Sequence, residues 1–214
     1  TTLKNLILDL RSNGGGLLNE GVKIVNFFIP KGQLVVNTKS RIPELNRSYS
    51  TTLNPIDTNL NIIVLIDENS ASASEIVAGS LQDLDKAVIV GTNSYGKGLV
   101  QQTKELSFGS QIKLTIAKYY TPSGRCIQKI DYSKKSKRGK SEQIADSLVN
   151  TFHTRSGRKV MDARGIEPDC TVVMEYYSAI TEELLFNDVI FAYVNEAYSD
   201  GDSISEPEIF KIND

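Results

Sequence analysis

Residues 61–91, NIIVLIDENSASASEIVAGSLQDLDKAVIVG, decide the fold of this chain. The apolar run Ile62–Ile66 predicts a buried strand, and Ser72–Leu84 predicts a helix. Ala87–Val90, bounded by Gly91, predicts a second buried strand. A strand, a helix and another strand in this order are typical of right-handed crossovers in a layered core. We therefore predict that the fold class is α/β.

The chain before this stretch repeats the same kind of pattern. Asn5–Leu10 is a nearly continuous apolar run, as in a strand that is covered on both faces. Arg11–Gly16 is a loop that contains three glycines, and Leu17–Ile29 has apolar residues at helical spacing. Residues 33–38 predict a strand, whereas residues 40–60 are polar and predict an excursion over the surface.

The pattern changes after residue 91. Gln111–Tyr120 alternates between apolar and other residues, which indicates a strand in an antiparallel or mixed extension of the core. The basic run Lys134–Lys140 indicates a solvated loop. Glu182–Tyr198 predicts a C-terminal helix, and an acidic tail follows it. We therefore expect one core over residues 1–200 and a tail over residues 201–214.

Composition excludes several classes of protein. The 214 residues carry a net charge of −2, so no global field draws the chain to nucleic acid. No apolar run reaches the ~18 residues that a membrane-spanning helix needs. The only two cysteines, Cys126 and Cys170, match no zinc-binding spacing, and we expect both to be buried and unpaired. A core strand that starts almost at Thr1 leads us to expect a piece of a longer protein, so the lack of a signal peptide says nothing about compartment.

The single histidine restricts the chemistry that the chain can perform. His153 excludes any mechanism that needs two histidines, and no nucleophile motif lies near it. Lysine can replace histidine as a general base where burial lowers its pKa, and serine–lysine pairs are an established variant of the catalytic triad. The chemistry therefore directs attention to serines and lysines.

Ser72 is a candidate nucleophile because it lies between a predicted buried strand and a predicted helix. The N–H groups at the start of that helix can stabilise an oxyanion. The same residues fit another role. Ser72-Ala73-Ser74-Glu75 also matches a helix capping box, with Ser72 as the N-cap and Glu75 at the third helical position. The local pattern by itself favours capping.

Lys97 is a candidate general base in the segment Tyr95–Gly98. This segment also fits a plain turn with an exposed lysine. A glycine-rich loop with a lysine is reminiscent of phosphate binding, but the spacing of a full P-loop is missing.

Five sequence blocks resemble those of the C-terminal processing (tail-specific) serine proteases and occur in the same order. One resembles the nucleophile motif of that family, and another resembles its general-base motif. Together they span about residues 5–172. The blocks are Leu8–Arg11 with the glycines that follow, Asn69–Gly79, Val90–Gln101, Leu114–Arg125 and Gly165–Asp169.

The resemblance implies a role for individual residues. The family's nucleophile falls on Ser72, its general base on Lys97, and its lysine-orienting glutamine on Gln101. The backbone N–H groups that form the family's oxyanion hole fall on Ala73 and on either Gly15 or Gly16. The resemblance implies no metal and no cofactor.

The resemblance also implies a fold, a substrate class and a setting. The fold would be a crotonase/ClpP-like core of stacked β-α units with additional mixed strands. The substrates would be proteins or peptides cleaved at or near their C-termini, and the setting would be the periplasm or cell envelope. Family members normally carry an upstream PDZ domain that recognises a free C-terminus. The oligomeric state stays open, with a homo-oligomer as one option.

The glycine loop of the first block departs from the family pattern, and two rival functions are compatible with the sequence. The family's first block usually reads Asn-Pro-Gly-Gly, whereas this chain has Asn13-Gly14-Gly15-Gly16, a loop with more freedom in the unfolded state. The first rival is an inactive relative that binds peptides. The second is a crotonase-fold acyl-CoA enzyme, which would rely on a carboxylate and need no serine–lysine pair.

Overall fold

The structure is a computed structural model that describes residues 3–135, 141–172 and 177–197. It divides into two compact units, residues 1–173 and residues 174–214, and each is described by itself. In chain order the elements are β1 (Asn5–Asp9), α1 (Leu18–Asn26), β2 (Leu34–Lys39), β3 (Arg47–Ser50), β4 (Asn61–Ile66), α2 (Ala73–Asp83), β5 (Ala87–Gly91), β6 (Leu99–Glu105), β7 (Gln111–Tyr120), β8 (Ile130–Lys135), β9 (Ser141–Gln143), β10 (Thr151–His153), β11 (Lys159–Met161), β12 (Cys170–Thr171), α3 (Ala179–Phe186) and α4 (Val189–Ala197).

A parallel sheet in the order β1-β4-β5-β12 forms the first layer of the first unit. The predicted strands of residues 61–91 are β4 and β5, and the helix between them is α2. The predicted α/β class is therefore confirmed. Alternate residues of β4, such as Ile62 and Val64, are buried in the same core as Val25 of α1 and Ile76 of α2.

The opposite face of the parallel sheet is open among the described residues. Ile7, Ile63 and Val88 lie side by side on adjacent strands and are 64%, 38% and 47% exposed. The expectation that Asn5–Leu10 is covered on both faces was therefore wrong. The reason is that the core residues of α1 and α2 pack with alternate residues of β1, Leu6 and Leu8, so only that face is buried.

An antiparallel sheet in the order β3-β2-β7-β6 forms the second layer. Its strand β7 confirms the alternating strand predicted at Gln111–Tyr120. Residues 40–60, expected to be a surface excursion, contain the additional strand β3. This strand pairs with β2, and the Arg47 N–H donates to Thr38 Oγ1 at 3.2 Å. Polar residues can form such a strand because β3 lies at the edge of its sheet in the described part of the chain.

Helix α2 lies between the two sheets and is buried along its whole length. Burial on all sides means that its polar side chains need internal partners. Ser80 Oγ donates to the carbonyl of Val35 in β2 at 2.8 Å. The partners of Glu75 lie in the loops that form the site, whereas Gln82 and Asp83 both accept from Arg125.

The remaining elements are two hairpins and the C-terminal helices. Strands β8 and β9 pair with each other, as do β10 and β11. The basic run Lys134–Lys140 falls mostly outside the described residues. Cys126 and Cys170 are unpaired as expected, but Cys170 is exposed and Cys126 is half-buried, so the expected burial of both was wrong.

The second unit contains two short helices where one helix was expected over Glu182–Tyr198. Helix α3 begins earlier, after Ser178, whose side chain accepts a hydrogen bond from the Thr181 N–H. Asp188 has a positive φ of 55°, and this residue separates α3 from α4. The predicted tail, residues 201–214, lies outside the described residues, so the boundary at residue 200 stays a prediction. Among the described helices, none combines the length and apolar character needed to cross a membrane.

Candidate active site

Ser72 lies in a strained turn between β4 and α2. Its backbone angles are φ 59° and ψ −115°, whereas a residue that caps a helix N-terminus normally has an extended backbone. Such angles cost a non-glycine residue about 1–3 kcal/mol and persist only where the surrounding contacts fix them. A serine on a sharp, strained strand-to-helix turn is the geometry of a nucleophile elbow. The turn therefore presents Ser72 in a conformation that helix capping alone does not require.

Three backbone contacts fix this turn. The Ala71 N–H donates to the carbonyl of Asn13 at 3.0 Å, and the Ile76 N–H donates to the carbonyl of Ser72 at 3.0 Å. The Ser72 N–H donates to Glu75 Oε2 at 2.8 Å. This last contact confirms the glutamate half of the predicted capping box. A capping contact and a strained strand-to-helix turn therefore coexist in the same residues.

The loop that leads from β4 to Ser72 is organised by the Asp67 carboxylate. Asp67 Oδ1 accepts hydrogen bonds from the N–H groups of Ser12, Asn69 and Ser70 at 2.9–3.0 Å. Burial acts to raise the pKa of Asp67, but the hydrogen bonds from Ser12, Asn69 and Ser70 outweigh it and hold that pKa below its usual value. The carboxylate thus joins the loop after β1 to the loop after β4.

The Glu75 carboxylate is fully buried and accepts four hydrogen bonds. Oε2 accepts from the N–H groups of Ser72 and Lys97, both at 2.8 Å. Oε1 accepts from Ser94 Oγ at 2.6 Å and from the Gly96 N–H at 2.7 Å. Burial raises the pKa of this carboxyl, and the four hydrogen bonds act in the opposite direction. Sequence reasoning identified Glu75 only as a capping residue.

Lys97 lies in the loop between β5 and β6, between two glycines that the fold requires. A Cβ on Gly96 would lie 2.4 Å from the Cβ of Lys129, and a Cβ on Gly98 would lie 2.6 Å from the backbone nitrogen of Gln128. Both contacts are too short for a side chain. The glycines let the segment at Gln128 approach the backbone of this loop closely, and Lys97 is half-buried between them.

A cavity of about 440 Å³ lies beside the Lys97 loop. Ser72 is not among its lining residues, although the preceding Ala71 is. Within the described chain, no hydrogen bond joins Ser72 Oγ to Lys97 Nζ. The lining residues are Gly14, Asn69, Ala71, Tyr95, Lys97, Leu99, Gln101, Gln128 and Tyr132.

Two glutamines line this cavity, and only one was predicted. Gln101 lies on β6 and is exposed. Gln128 is buried; its Oε1 accepts from the Gly98 N–H at 2.8 Å and its Nε2 donates to the carbonyl of Ile130 at 3.0 Å. Sequence reasoning missed Gln128 because its contact with the lysine loop joins residues 30 positions apart.

Gly15 lies directly against the serine turn. A Cβ on Gly15 would lie 2.5 Å from the carbonyl oxygen of Ala71, 2.8 Å from the nitrogen of Ala73 and 2.9 Å from the Cβ of Ser72. Its φ of +96° is also in the region that favours glycine. The structure therefore brings Gly15 and Ala73 together, as the predicted oxyanion hole requires.

The two candidate glycines differ in what their N–H groups contact. The Gly15 N–H donates to Asn13 Oδ1 at 2.9 Å, and the same oxygen accepts from Ser74 Oγ at 2.9 Å. The N–H groups of Gly16 and Ala73 donate to no acceptor in the described residues. A free N–H is available to a ligand without breaking a protein contact, and that of Gly15 is not.

A buried arginine attaches the block Leu114–Arg125 to α2. Arg125 Nη2 donates to Asp83 Oδ1 at 2.9 Å and to Gln82 Oε1 at 2.7 Å, and neither side chain of the Arg125–Asp83 pair is exposed. The Ser123 N–H donates to Asp83 Oδ2 at 3.0 Å. The residues of this block that resemble the protease family therefore anchor the scaffold around the site.

The block Gly165–Asp169 holds the lysine loop from the other side. Ser94 Oγ accepts from the Ile166 N–H at 2.7 Å, and the Ser94 N–H donates to the carbonyl of Ile166 at 3.0 Å. A Cβ on Gly165 would lie 2.6 Å from Ser94 Oγ. His153 lies apart from this arrangement, exposed on β10 and absent from the cavity lining. The site thus contains serine, lysine and glutamine side chains and no histidine.

These features define a class of protein: an α/β layered protein with a serine at a strained strand-to-helix turn, as in serine hydrolases. The chain belongs to peptidase family S41, whose sequence model matches residues 1–135. This finding agrees with the resemblance seen in the sequence blocks.

Individual relatives place the chain within this family. It is 46% identical over 128 residues to a carboxy-terminal-processing protease of Bartonella bacilliformis. The aligned region covers 60% of this chain and 29% of that relative. It is 41% identical over 128 residues to a chloroplastic C-terminal processing peptidase of Tetradesmus obliquus, covering 60% and 27%. The solved structure of a photosystem II D1 C-terminal processing protease matches with 30% identity and a TM-score of 0.57, covering 78% of this chain and 34% of that one. The chain spans less than a third of the length of both curated relatives.

Proposed function

We propose that this chain carries the catalytic site of a serine endopeptidase that uses a serine–lysine dyad, with Ser72 as nucleophile and Lys97 as general base. One observation supports this proposal most strongly. The N–H groups of Ser72 and Lys97 donate to the same oxygen, Glu75 Oε2, each at 2.8 Å. The two backbones are therefore adjacent although 25 residues separate them in the sequence.

The proposed reaction begins with a proton transfer. Neutral Lys97 takes the proton of Ser72 Oγ, and Oγ attacks the carbonyl carbon of the scissile peptide bond. The lysine ammonium then gives this proton to the leaving amine as the C–N bond breaks. Water, deprotonated by the same lysine, attacks the acyl-enzyme and releases Ser72. The proton balance closes within the dyad, so no metal or cofactor is needed.

Two further groups would assist this reaction. Gln101 lines the cavity with Lys97 and would orient the lysine side chain. The oxyanion would accept hydrogen bonds from the Ala73 N–H and from Gly15 or Gly16, each donor contributing roughly 3 kcal/mol to the stability of the transition state. Gly15 lies closely against the serine turn. Its N–H would have to break its hydrogen bond to Asn13 Oδ1 before it could donate to the oxyanion.

The substrates, the arrangement of the fold and the location are further parts of this proposal. The relatives' names specify C-terminal processing, and we propose that the substrates are proteins or peptides cleaved at or near their C-termini. We also propose a crotonase/ClpP-like arrangement of the β-α units, a periplasmic or envelope location, and an upstream PDZ domain in the whole protein. A homo-oligomer is compatible with these proposals.

The two rival functions are less well supported. An acyl-CoA enzyme of the crotonase type would use a carboxylate in its pocket, but the described lining of the cavity contains no aspartate or glutamate. An inactive peptide-binding relative would have no need of the strained backbone at Ser72, which costs stability.

Hydrolysis of fluorescently labelled, unfolded casein tests the proposal. Wild type, Ser72→Ala and Lys97→Ala are compared under the same conditions. The wild type should hydrolyse casein, and both variants should lose this activity. Activity that survives Ser72→Ala in protein free of other proteases would refute the assignment of the nucleophile.

A further inference from the structure

The Glu75 carboxylate connects the two loops that carry the proposed dyad. Oε2 accepts from the N–H groups of Ser72 and Lys97, and Oε1 accepts from the Gly96 N–H and Ser94 Oγ. The two nitrogens that share Oε2 are separated by no more than twice 2.8 Å. This one side chain therefore limits the distance between the backbone of the nucleophile and the backbone of the base.

Burial raises the pKa of Glu75, whereas its hydrogen-bond partners favour the ionised carboxylate. Three of the four donors are backbone N–H groups, which can only donate. The fourth, Ser94 Oγ, already accepts from the Ile166 N–H at 2.7 Å, so its own hydrogen is free to point towards Glu75. An ionised carboxylate accepts all four hydrogen bonds, whereas a protonated one has an O–H that occupies one acceptor position. No arginine or lysine side chain forms an ion pair with Glu75 among the described residues.

Glu75 can affect the proposed reaction only through the residues that it contacts. It is buried in α2 and absent from the cavity lining, so it does not reach a substrate. Its position on a helix that is buried between the two sheets makes it a rigid point of attachment. The Lys97 loop, by contrast, contains glycines on both sides of the lysine and depends on contacts from outside for its conformation.

We propose that Glu75 is a positioning residue of the dyad, whose ionised carboxylate holds the Ser72 turn and the Lys97 loop at the separation that proton transfer requires. The proposal rests on the proposed function, because it concerns the rate at which Lys97 takes the Ser72 proton. Loss of the carboxylate should therefore affect catalysis and not substrate binding. It should lower kcat and leave KM nearly unchanged, because the residues that line the cavity are not altered.

Two substitutions at Glu75 test this role. Glu75→Gln keeps the size of the side chain but replaces one acceptor oxygen with an NH₂ group. This NH₂ group would face two donors, either the N–H groups of Ser72 and Lys97 or the Ser94 hydroxyl and the Gly96 N–H. Glu75→Asp keeps the charge but is one methylene shorter, so the carboxylate cannot reach all four donors. We expect kcat for casein hydrolysis to fall at least 100-fold in Glu75→Gln and at least 10-fold in Glu75→Asp, with KM within 3-fold of wild type.

A matched control separates positioning from stability. Ser80→Ala removes a buried hydrogen bond from the same helix, but on the side facing β2. It should lower the unfolding midpoint and leave kcat within 3-fold of wild type. The rate at which a fluorophosphonate labels Ser72 gives a second readout, which should fall in parallel with kcat in both Glu75 variants and stay unchanged in Ser80→Ala.

The outcomes distinguish this inference from the proposed function. If Ser72→Ala or Lys97→Ala remains active, the proposed function fails. If both are inactive while a folded Glu75→Gln protein keeps the wild-type kcat, only the positioning role is refuted. Should Glu75→Gln not fold, Glu75→Asp decides in the same way. A change in KM equal to the change in kcat, or an equal loss of kcat in Ser80→Ala, would also overturn the role.

Discussion

Arg125 gives the sharpest prediction about stability. In Arg125→Met, Asp83 Oδ1 and Gln82 Oε1 lose their donors, and the Asp83 carboxylate keeps only the Ser123 N–H. Removing one partner of a buried ion pair costs roughly 3–5 kcal/mol, because the other charge is left without compensation. A loss of this size lowers the melting temperature of a domain with about 200 residues by roughly 10 °C.

Arg11→Met is the matched control, because Arg11 and Asp9 form an ion pair whose side chains are 45% and 49% exposed. An exposed pair contributes about 0–1 kcal/mol. Urea denaturation of both variants and the wild type, followed by circular dichroism, measures the two free energies of unfolding. A loss below 1 kcal/mol in Arg125→Met, or equal losses in both variants, would refute the claim that the buried pair anchors α2 to the block Leu114–Arg125.

Three further predictions concern the site. Gly15→Ala should abolish casein hydrolysis, because a Cβ there would lie 2.5–2.9 Å from the serine turn; activity near that of the wild type would contradict this close contact. Ser72→Gly should be about 1–2 kcal/mol more stable than Ser72→Ala in urea denaturation, because glycine relieves the strain at φ 59°, and equal stabilities would contradict that strain. Asp67→Asn should lose roughly 1–3 kcal/mol at pH 7. The folded-state pKa of Asp67 is lowered, so its contribution is complete above the unfolded value of ~3.9 and disappears as pH falls through the folded value. Urea denaturation at pH 7 and at pH 3 measures this difference, and a deficit that grows on acidification would contradict it.

Local sequence patterns predicted the central fold. Residues 61–91 contain two apolar runs around a helical segment, and each of these signals is complete within a few residues. The break at Asp188 was missed, because the apolar residues of Glu182–Tyr198 continue at helical spacing across it. Whether a sheet face is covered also depends on what packs against it, and Ile7 has the same apolar character as the half-buried Leu6 and Leu8 beside it.

The candidate site was predictable only in part. Ser72, Lys97 and Gln101 were proposed from sequence blocks, because each lies in a recognisable motif. The role of Glu75 was not, since three of its four partners lie 19–22 residues further along the chain. Gln128 was missed for the same reason, because only the fold brings it close to Gly98. Contacts of this kind are properties of the tertiary structure and leave no periodic signal.

The most direct test of the central claim is to identify the residue that a fluorophosphonate modifies, by mass spectrometry of the digested protein. A single modified residue, Ser72, is expected, with no modification in Ser72→Ala and labelling at least 100-fold slower in Lys97→Ala. Modification of another serine, or unchanged labelling of Ser72 in Lys97→Ala, would contradict the serine–lysine dyad.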